Sequence, residues 1–545
     1  MSGIPPKAPD SIMRRLLPLM TIASILTLGS GAGAQVRIDS GLVEGLPASH
    51  PGILVFRGIP YAAPPLGRLR WAEPQPVAPW EGVRKAVDFG PRAMQGPIYS
   101  DMIFRDNGPS EDCLTLNVWT PAGPAGGNLP VMVWIHGGGL QAGSSSEPRQ
   151  DGGTLAAKSV VVVSLNYRLG LFGFLAHPWL TAESGRGASG NYGLMDQIAA
   201  LRWVRRNIAA FGGDPGNVTL FGESAGAYST SLLISSPLAR GLFQKAIVES
   251  GSFYRTRENG RENDTPLTEA EEVGVEFAAK VGAKSLAGLR AMPANRLLGA
   301  YLKAPSLEMD AIFDGHVVPA DNYKAWEEGR QNPVLLLAGW NAQESSVYAA
   351  FGKKRPTARS FAADVKRAYG DRAAAILGLY PAQTDREAAI SAGDLASDQF
   401  IGYCAWKLID AQLRSGVSPV YRYSFDRAVP VAPGTMINGA AATGADIGAI
   451  HSSEISYVFG ALADVPGVSW TPGDWRLSEA MASYWTNFAR TGNPNGPGLP
   501  DWPAFSGGAG GRVLHLDLGI HTSPEANRAR YEFWDADAAP RRQRD

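Results

Sequence analysis

Gly222-Glu223-Ser224-Ala225-Gly226 sets a serine between small residues, after an apolar, β-branched stretch and before one with helical spacing. By itself this pattern also describes a Gly-rich turn that packs a helix on a strand. The flanks Val218–Phe221 and Ala225–Ser235 favour the strand–turn–helix in which a strained turn lifts the serine Oγ clear of the backbone. A hydroxyl is a weak nucleophile near neutral pH. It needs a base to take its proton, and the base needs an acid to hold its tautomer.

Seven histidines are present. His451, between Gly448-Ala449-Ile450 and Ser452-Ser453-Glu454, precedes an apolar helix start and is the candidate base. Glu344 follows the strand-like Val334–Ala338 and falls between nucleophile and base in the order Ser, acid, His, so it is the candidate acid. Alone, a loop histidine packs and a loop glutamate is solvated; together with Ser224 they describe acyl transfer. The tetrahedral intermediate of that reaction needs hydrogen-bond donors. His136-Gly137-Gly138-Gly139 follows the strand-like Val131–Ile135, and the N–H groups of Gly138 and Gly139 with that of Ala225 form a candidate oxyanion hole. No G-K-[ST] follows these glycines, which disfavours a phosphate cradle.

These residues need a frame that brings distant segments together. Val131–His136, Val160–Tyr167, Val218–Phe221, Lys245–Glu249, Val334–Ala338 and Val420–Ser424 read as buried strands. Asp196–Ala210, Ala225–Ser235 and Leu267–Val281 have helical spacing. Such alternation predicts an α/β fold, a mostly parallel central sheet with helices on both faces and a helical cap. Cap insertions are expected at about 253–332 and 345–415, inside one catalytic domain spanning 35–540, with 541–545 a tail. Pro121–Pro130 reads as a hairpin loop. Leu140 and Gln141 beside the glycines, with Leu307 and Met309 in the cap, are candidate pocket residues.

Composition agrees with a globular enzyme. The 545 residues are 45% hydrophobic and 19% charged, enough apolar material for a packed core. Fifty Lys+Arg against 51 Asp+Glu leave no field of one sign to collect nucleic acid. Residues 1–34 read as a signal peptide: Lys7, Arg14 and Arg15, an apolar run from Leu16 to Leu28, then Ala32-Gly33-Ala34 as a cleavage site. Met13 is an alternative start, and an uncleaved anchor is the other reading of the segment. A periplasmic or secreted protein is expected, with no integral membrane segment after signal removal.

Longer strings resemble one family. Phe56-Arg57-Gly58-Ile59-Pro60-Tyr61-Ala62, Ser110-Glu111-Asp112-Cys113-Leu114-Thr115-Leu116-Asn117-Val118, Gly190-Asn191-Tyr192-Gly193-Leu194-Met195-Asp196-Gln197 and Phe211-Gly212-Gly213-Asp214-Pro215 are similar to the type-B carboxylesterases. These are α/β-hydrolases that include bacterial para-nitrobenzyl esterases and the cholinesterases. The resemblance implies the triad Ser224, Glu344 and His451, the oxyanion hole named above, and a supporting hydrogen bond from Ser250. It implies structural ion pairs Arg70–Glu111 and Arg168–Asp196. It also implies a small-molecule ester as substrate and no metal or other cofactor; the oligomeric state is left open. Some exported members cut bulky polyacid esters such as those of fumonisin-type mycotoxins, for which Arg255 and Arg257 are candidate carboxylate contacts. Others are non-catalytic binding modules. In many members Cys113 would pair upstream, near Ala93 and Met94, but no cysteine precedes it here, so Cys113 and Cys404 are expected to be unpaired.

Overall fold

The computed structural model describes residues 34–123, 127–254, 265–345, 355–416, 419–431, 436–437, 440–441 and 447–542. Residues 1–33 of the expected signal peptide 1–34, and the arginines Arg255 and Arg257, lie outside the described residues.

Eleven strands form the main sheet: β1 (Leu46–Pro47), β2 (Ile53–Pro60), β3 (Thr115–Pro121), β4 (Leu129–Ile135), β5 (Val161–Leu165), β6 (Gly213–Glu223), β7 (Lys245–Glu249), β8 (Leu335–Asn341), β9 (Val420–Phe425), β10 (Arg512–Leu516) and β11 (His521–Pro524). Their spatial order is β11-β10-β9-β8-β7-β6-β4-β5-β3-β2-β1. The run from β10 to β5 is parallel throughout, and the outer pairings at both edges are antiparallel. From β4 the chain crosses to β5 on one side, then returns to β6 on the other and continues outward. Connections leaving β4 and β6 on opposite sides open a crevice at the carboxyl ends of those two strands, the usual ligand position in such sheets.

Strand periodicity divides the core. On β4, Val131, Val133 and Ile135 face one cluster, with Leu201, Val204, Leu232 and Leu233. Met132 and Trp134 face the other, with Leu477, Met481, Trp485 and Phe488. The first group lies on α1 (Tyr192–Asn207) and α2 (Ala225–Ser235); α3 (Leu267–Val281), α4 (Ala294–Leu302), α5 (Asp385–Ser397) and α6 (Tyr403–Arg414) fall in the two segments expected as cap insertions; the second group lies on α7 (Pro472–Thr491); α8 (Arg528–Arg542) follows. A sheet buried on both faces explains why the central strands read as unbroken apolar runs.

One expectation is corrected. Pro121–Pro130 does not close a hairpin, because β5 lies between β3 and β4. The expected tail is helical where it is described, since α8 runs through Arg541 and Arg542. Both expected ion pairs form. Arg70 meets both oxygens of Glu111 at 2.6 Å, and Arg168 meets both oxygens of Asp196 at 2.8 Å. Cys113 and Cys404 are buried and form no disulfide.

Candidate active site

Ser224 stands between the end of β6 and the start of α2, with φ +54° and ψ −119°. That backbone is costly for any residue with a side chain, and the two motif glycines make it attainable. A Cβ on Gly226 would lie 2.0 Å from the Ile135 carbonyl oxygen, and one on Gly222 would lie 2.6 Å from the Gly226 carbonyl carbon. Only glycine lets α2 rise so close to the end of β4.

Nε2 of His451 lies 2.8 Å from Ser224 Oγ, and its Nδ1 lies 2.7 Å from Glu344 Oε2. The other Glu344 oxygen accepts the Asn341 backbone N–H at 2.7 Å, which anchors the carboxylate to the end of β8. The same turn holds the histidine loop. Asn341 Nδ2 donates to the Ile450 carbonyl at 2.7 Å, and the Ala449 N–H donates to Gln343 Oε1 at 2.8 Å. The side chains of Ser224, Glu344 and His451 are thus brought together.

The glycine loop follows β4 and packs against the serine turn: a Cβ on Gly137 would lie 3.1 Å from Ser224 Cβ. Gly138 has φ +106°, and a Cβ there would meet the Ala142 carbonyl oxygen at 2.1 Å. Among the described residues the N–H groups of Gly138, Gly139 and Ala225 make no hydrogen bond. His136 is buried beneath the loop against Tyr167, and burial lowers its pKa to about 4, so it is neutral.

Three glutamates, Glu223, Glu344 and Glu454, act on the histidine, and of these the sequence points only to Glu344. Glu223, the variable position of the serine motif, places Oε1 3.3 Å from His451 Nε2 and accepts a hydrogen bond from Ser452 Oγ at 2.6 Å. Glu454 accepts from Asn341 Nδ2 at 2.6 Å and from Ser250 Oγ at 3.1 Å. Ser250 therefore acts on the histidine loop through Glu454; none of its hydrogen bonds reaches a triad side chain. Glu249 accepts from Trp485 Nε1 at 2.8 Å. The spacing of Glu454 three residues after His451 was the available signal.

Burial disfavours the His451 imidazolium, but the charges of Glu223, Glu344 and Glu454 outweigh it and push the pKa up to about 9. Burial, with repulsion from Glu223 and Glu344, raises Glu454 to about 8. Burial raises Glu223 as well, and it takes Glu249 well above the usual carboxyl range.

Leu140, beside the glycine loop, and Leu307 and Met309, in the expected cap segment, are buried. Gln141 joins the two, accepting from Tyr301 Oη at 2.9 Å and donating to the Met309 carbonyl at 3.4 Å. The mouth carries aromatic groups that the sequence did not single out. Phe400 meets the His451 ring edge-to-face at 4.9 Å, and a Cβ on Gly139 would lie 3.0 Å from Tyr99 Oη.

The Carboxylesterase family model matches residues 32–534. The fumonisin B1 esterase of Sphingopyxis macrogoltabida is 37% identical over 483 residues, 86% of this chain and 84% of that protein. The medium-chain fatty acyl-CoA hydrolase precursor of Anas platyrhynchos is 35% identical, over 94% of this chain and 91% of its own. A solved thermophilic PNB esterase superposes with a TM-score of 0.76 at 34% identity, covering 92% of this chain and 99% of its own. A Geobacillus stearothermophilus carboxylesterase gives 0.76 at 32% identity with the same coverage.

Proposed function

The chain belongs to the Carboxylesterase family, with the α/β-hydrolase fold and carboxylic ester hydrolysis as its activity, and we propose that it works through a Ser224–His451–Glu344 triad and an acyl-enzyme. His451 in its neutral form takes the Ser224 proton as Oγ attacks the ester carbonyl carbon. Glu344 holds the Nδ1–H tautomer and stabilises the imidazolium. The N–H groups of Gly138, Gly139 and Ala225 receive the oxyanion, where each donor is worth about 10²–10³ in rate. Collapse of the intermediate breaks the C–O bond, and the alcohol leaves with the proton from His451 Nε2. Water then attacks the acyl-enzyme with His451 again as base, releasing the acid and restoring Ser224.

The observation that carries this reading is the pair of contacts on one imidazole, 2.8 Å to Ser224 Oγ and 2.7 Å to Glu344 Oε2. A non-catalytic binding module would require neither. The test is para-nitrophenyl acetate: the wild type gives a burst of nitrophenol, and Ser224→Ala loses the burst and on the order of 10⁶ in kcat. A burst retained by the variant overturns the assignment.

Leu140, Gln141, Leu307 and Met309 are our candidates for the acyl side, supported by the Gln141–Met309 link between loop and cap. A second reading, bulky polyacid esters, is favoured by the 37% identity to a fumonisin B1 esterase. Release of acid from fumonisin B1, compared with rates on uncharged esters, decides between them. We further propose export, on the strength of the charged and apolar residues before Gln35; the N-terminal residue of the mature chain tests it.

A further inference from the structure

The helical stretch that begins with α5 and ends with α6 is not one regular helix. Between them Asp398–Gly402 forms a π-helical turn, a local widening that occurs often at functional sites. It turns two neighbouring side chains to opposite uses. Asp398 is buried, accepting from Tyr380 Oη at 2.9 Å. Phe400 points outward, 47% exposed, with its ring edge-to-face on His451 at 4.9 Å between centroids. The turn is tied to the acid loop as well, because the Ser345 N–H, next to Glu344, donates to Ser397 Oγ at 3.0 Å.

We propose that Phe400 is the residue that selects the alcohol portion of the substrate, favouring esters of aryl-methyl and similarly flat apolar alcohols; this rests on the triad reading above. The proton path fixes where the alcohol must lie. The leaving oxygen must come within hydrogen-bond reach of His451 Nε2, the nitrogen that meets Ser224 Oγ. The carbonyl oxygen must point the other way, toward the glycine loop. Whatever is bonded to the leaving oxygen therefore lies on the histidine side of the reacting carbon. There the exposed ring of Phe400, edge-to-face with His451, is available to it. Half of a large aromatic face left in water beside a reacting centre gains both buried area and ring–ring contact when a flat alcohol covers it.

The test holds one half of the ester constant at a time. Wild type, Phe400→Leu and Phe400→Ala are assayed for kcat/KM on ethyl and benzyl acetate, which share an acyl group. They are then assayed on ethyl acetate and ethyl hexanoate, which share an alcohol. The expected result is a benzyl-to-ethyl ratio about tenfold lower in Phe400→Ala, the scale of one aromatic pair with its buried area, and intermediate in Phe400→Leu. The hexanoate-to-acetate ratio stays unchanged. Equal losses on ethyl and benzyl acetate would mean that the ring merely supports His451, and the inference falls. It falls also if the acyl ratio moves instead. A wild type inactive on every ester removes the triad reading and this inference with it, whereas an active wild type with unmoved ratios removes the inference alone.

Discussion

The Glu223 carboxylate lies 3.3 Å from His451 Nε2, the same nitrogen that faces the Ser224 hydroxyl at 2.8 Å. The nucleophile's immediate neighbour in sequence is thus a second anion on the general base. Whatever charge Glu223 carries acts on the proton that the reaction moves.

The first consequence is in the pH profile. The His451 pKa is raised to about 9, so the free base is populated only as pH rises toward that value, and kcat/KM should climb on a limb well above the ordinary imidazole value of about 6.5. Glu454→Gln removes one of the raising charges while keeping the side chain's shape, so its limb should move to lower pH. The kcat/KM profiles of wild type and variant check both statements; a limb moving upward in the variant would contradict the electrostatics. The sign for stability is the same. A raised pKa stabilises the folded state below the unfolded value, and that contribution is lost as pH rises through about 9.

The glycine loop offers a second. Gly138→Ala sets a Cβ against the Ala142 carbonyl at a backbone angle unsuited to a side chain. The loop must shift, and kcat should fall by about 10²–10³, the value of one oxyanion donor. The far-ultraviolet circular dichroism spectrum should be unchanged. A variant retaining wild-type kcat would show that this N–H is dispensable.

A third concerns the core. Arg168 is buried and meets Asp196 through its Nε, Nη2 and backbone N–H. Asp196→Ala leaves the guanidinium without its partner and should destabilise the fold by about 3–5 kcal/mol in denaturant unfolding. A change below 1 kcal/mol, the scale of an exposed pair, would overturn this account of the ion pair.

The thiols give a fourth. Cys113 and Cys404 are buried, and burial pushes the Cys113 thiol far up. The native protein should react with neither equivalent of a thiol reagent over minutes, and the unreduced, unfolded chain with two. No free thiol after unfolding would mean a disulfide exists.

Much of the site was legible because its parts are local. The turn at Ser224 needs small neighbours, and Glu344 follows a strand that apolar periodicity reveals. The central strands themselves show as apolar runs because both their faces are buried. What stayed hidden depends on long-range placement. The segment from Pro121 to Pro130 has the Gly and Pro content of a hairpin, but β5, which comes later in the chain, takes the place between its flanking strands. Phe400 carries no motif at all, and it meets His451 from a π-helical turn that helical periodicity does not announce. Glu223 and Glu454 lie one and three residues from Ser224 and His451, a spacing that signals nearness but not that both side chains turn inward.

The turn at Ser224, with φ +54°, is one that an isolated peptide would abandon, and its partner histidine is 227 positions away along the chain. Such an arrangement has no local precursor. In a refolding experiment, recovery of hydrolytic turnover should lag behind the return of helical signal and coincide with the slowest step in restoring tertiary structure.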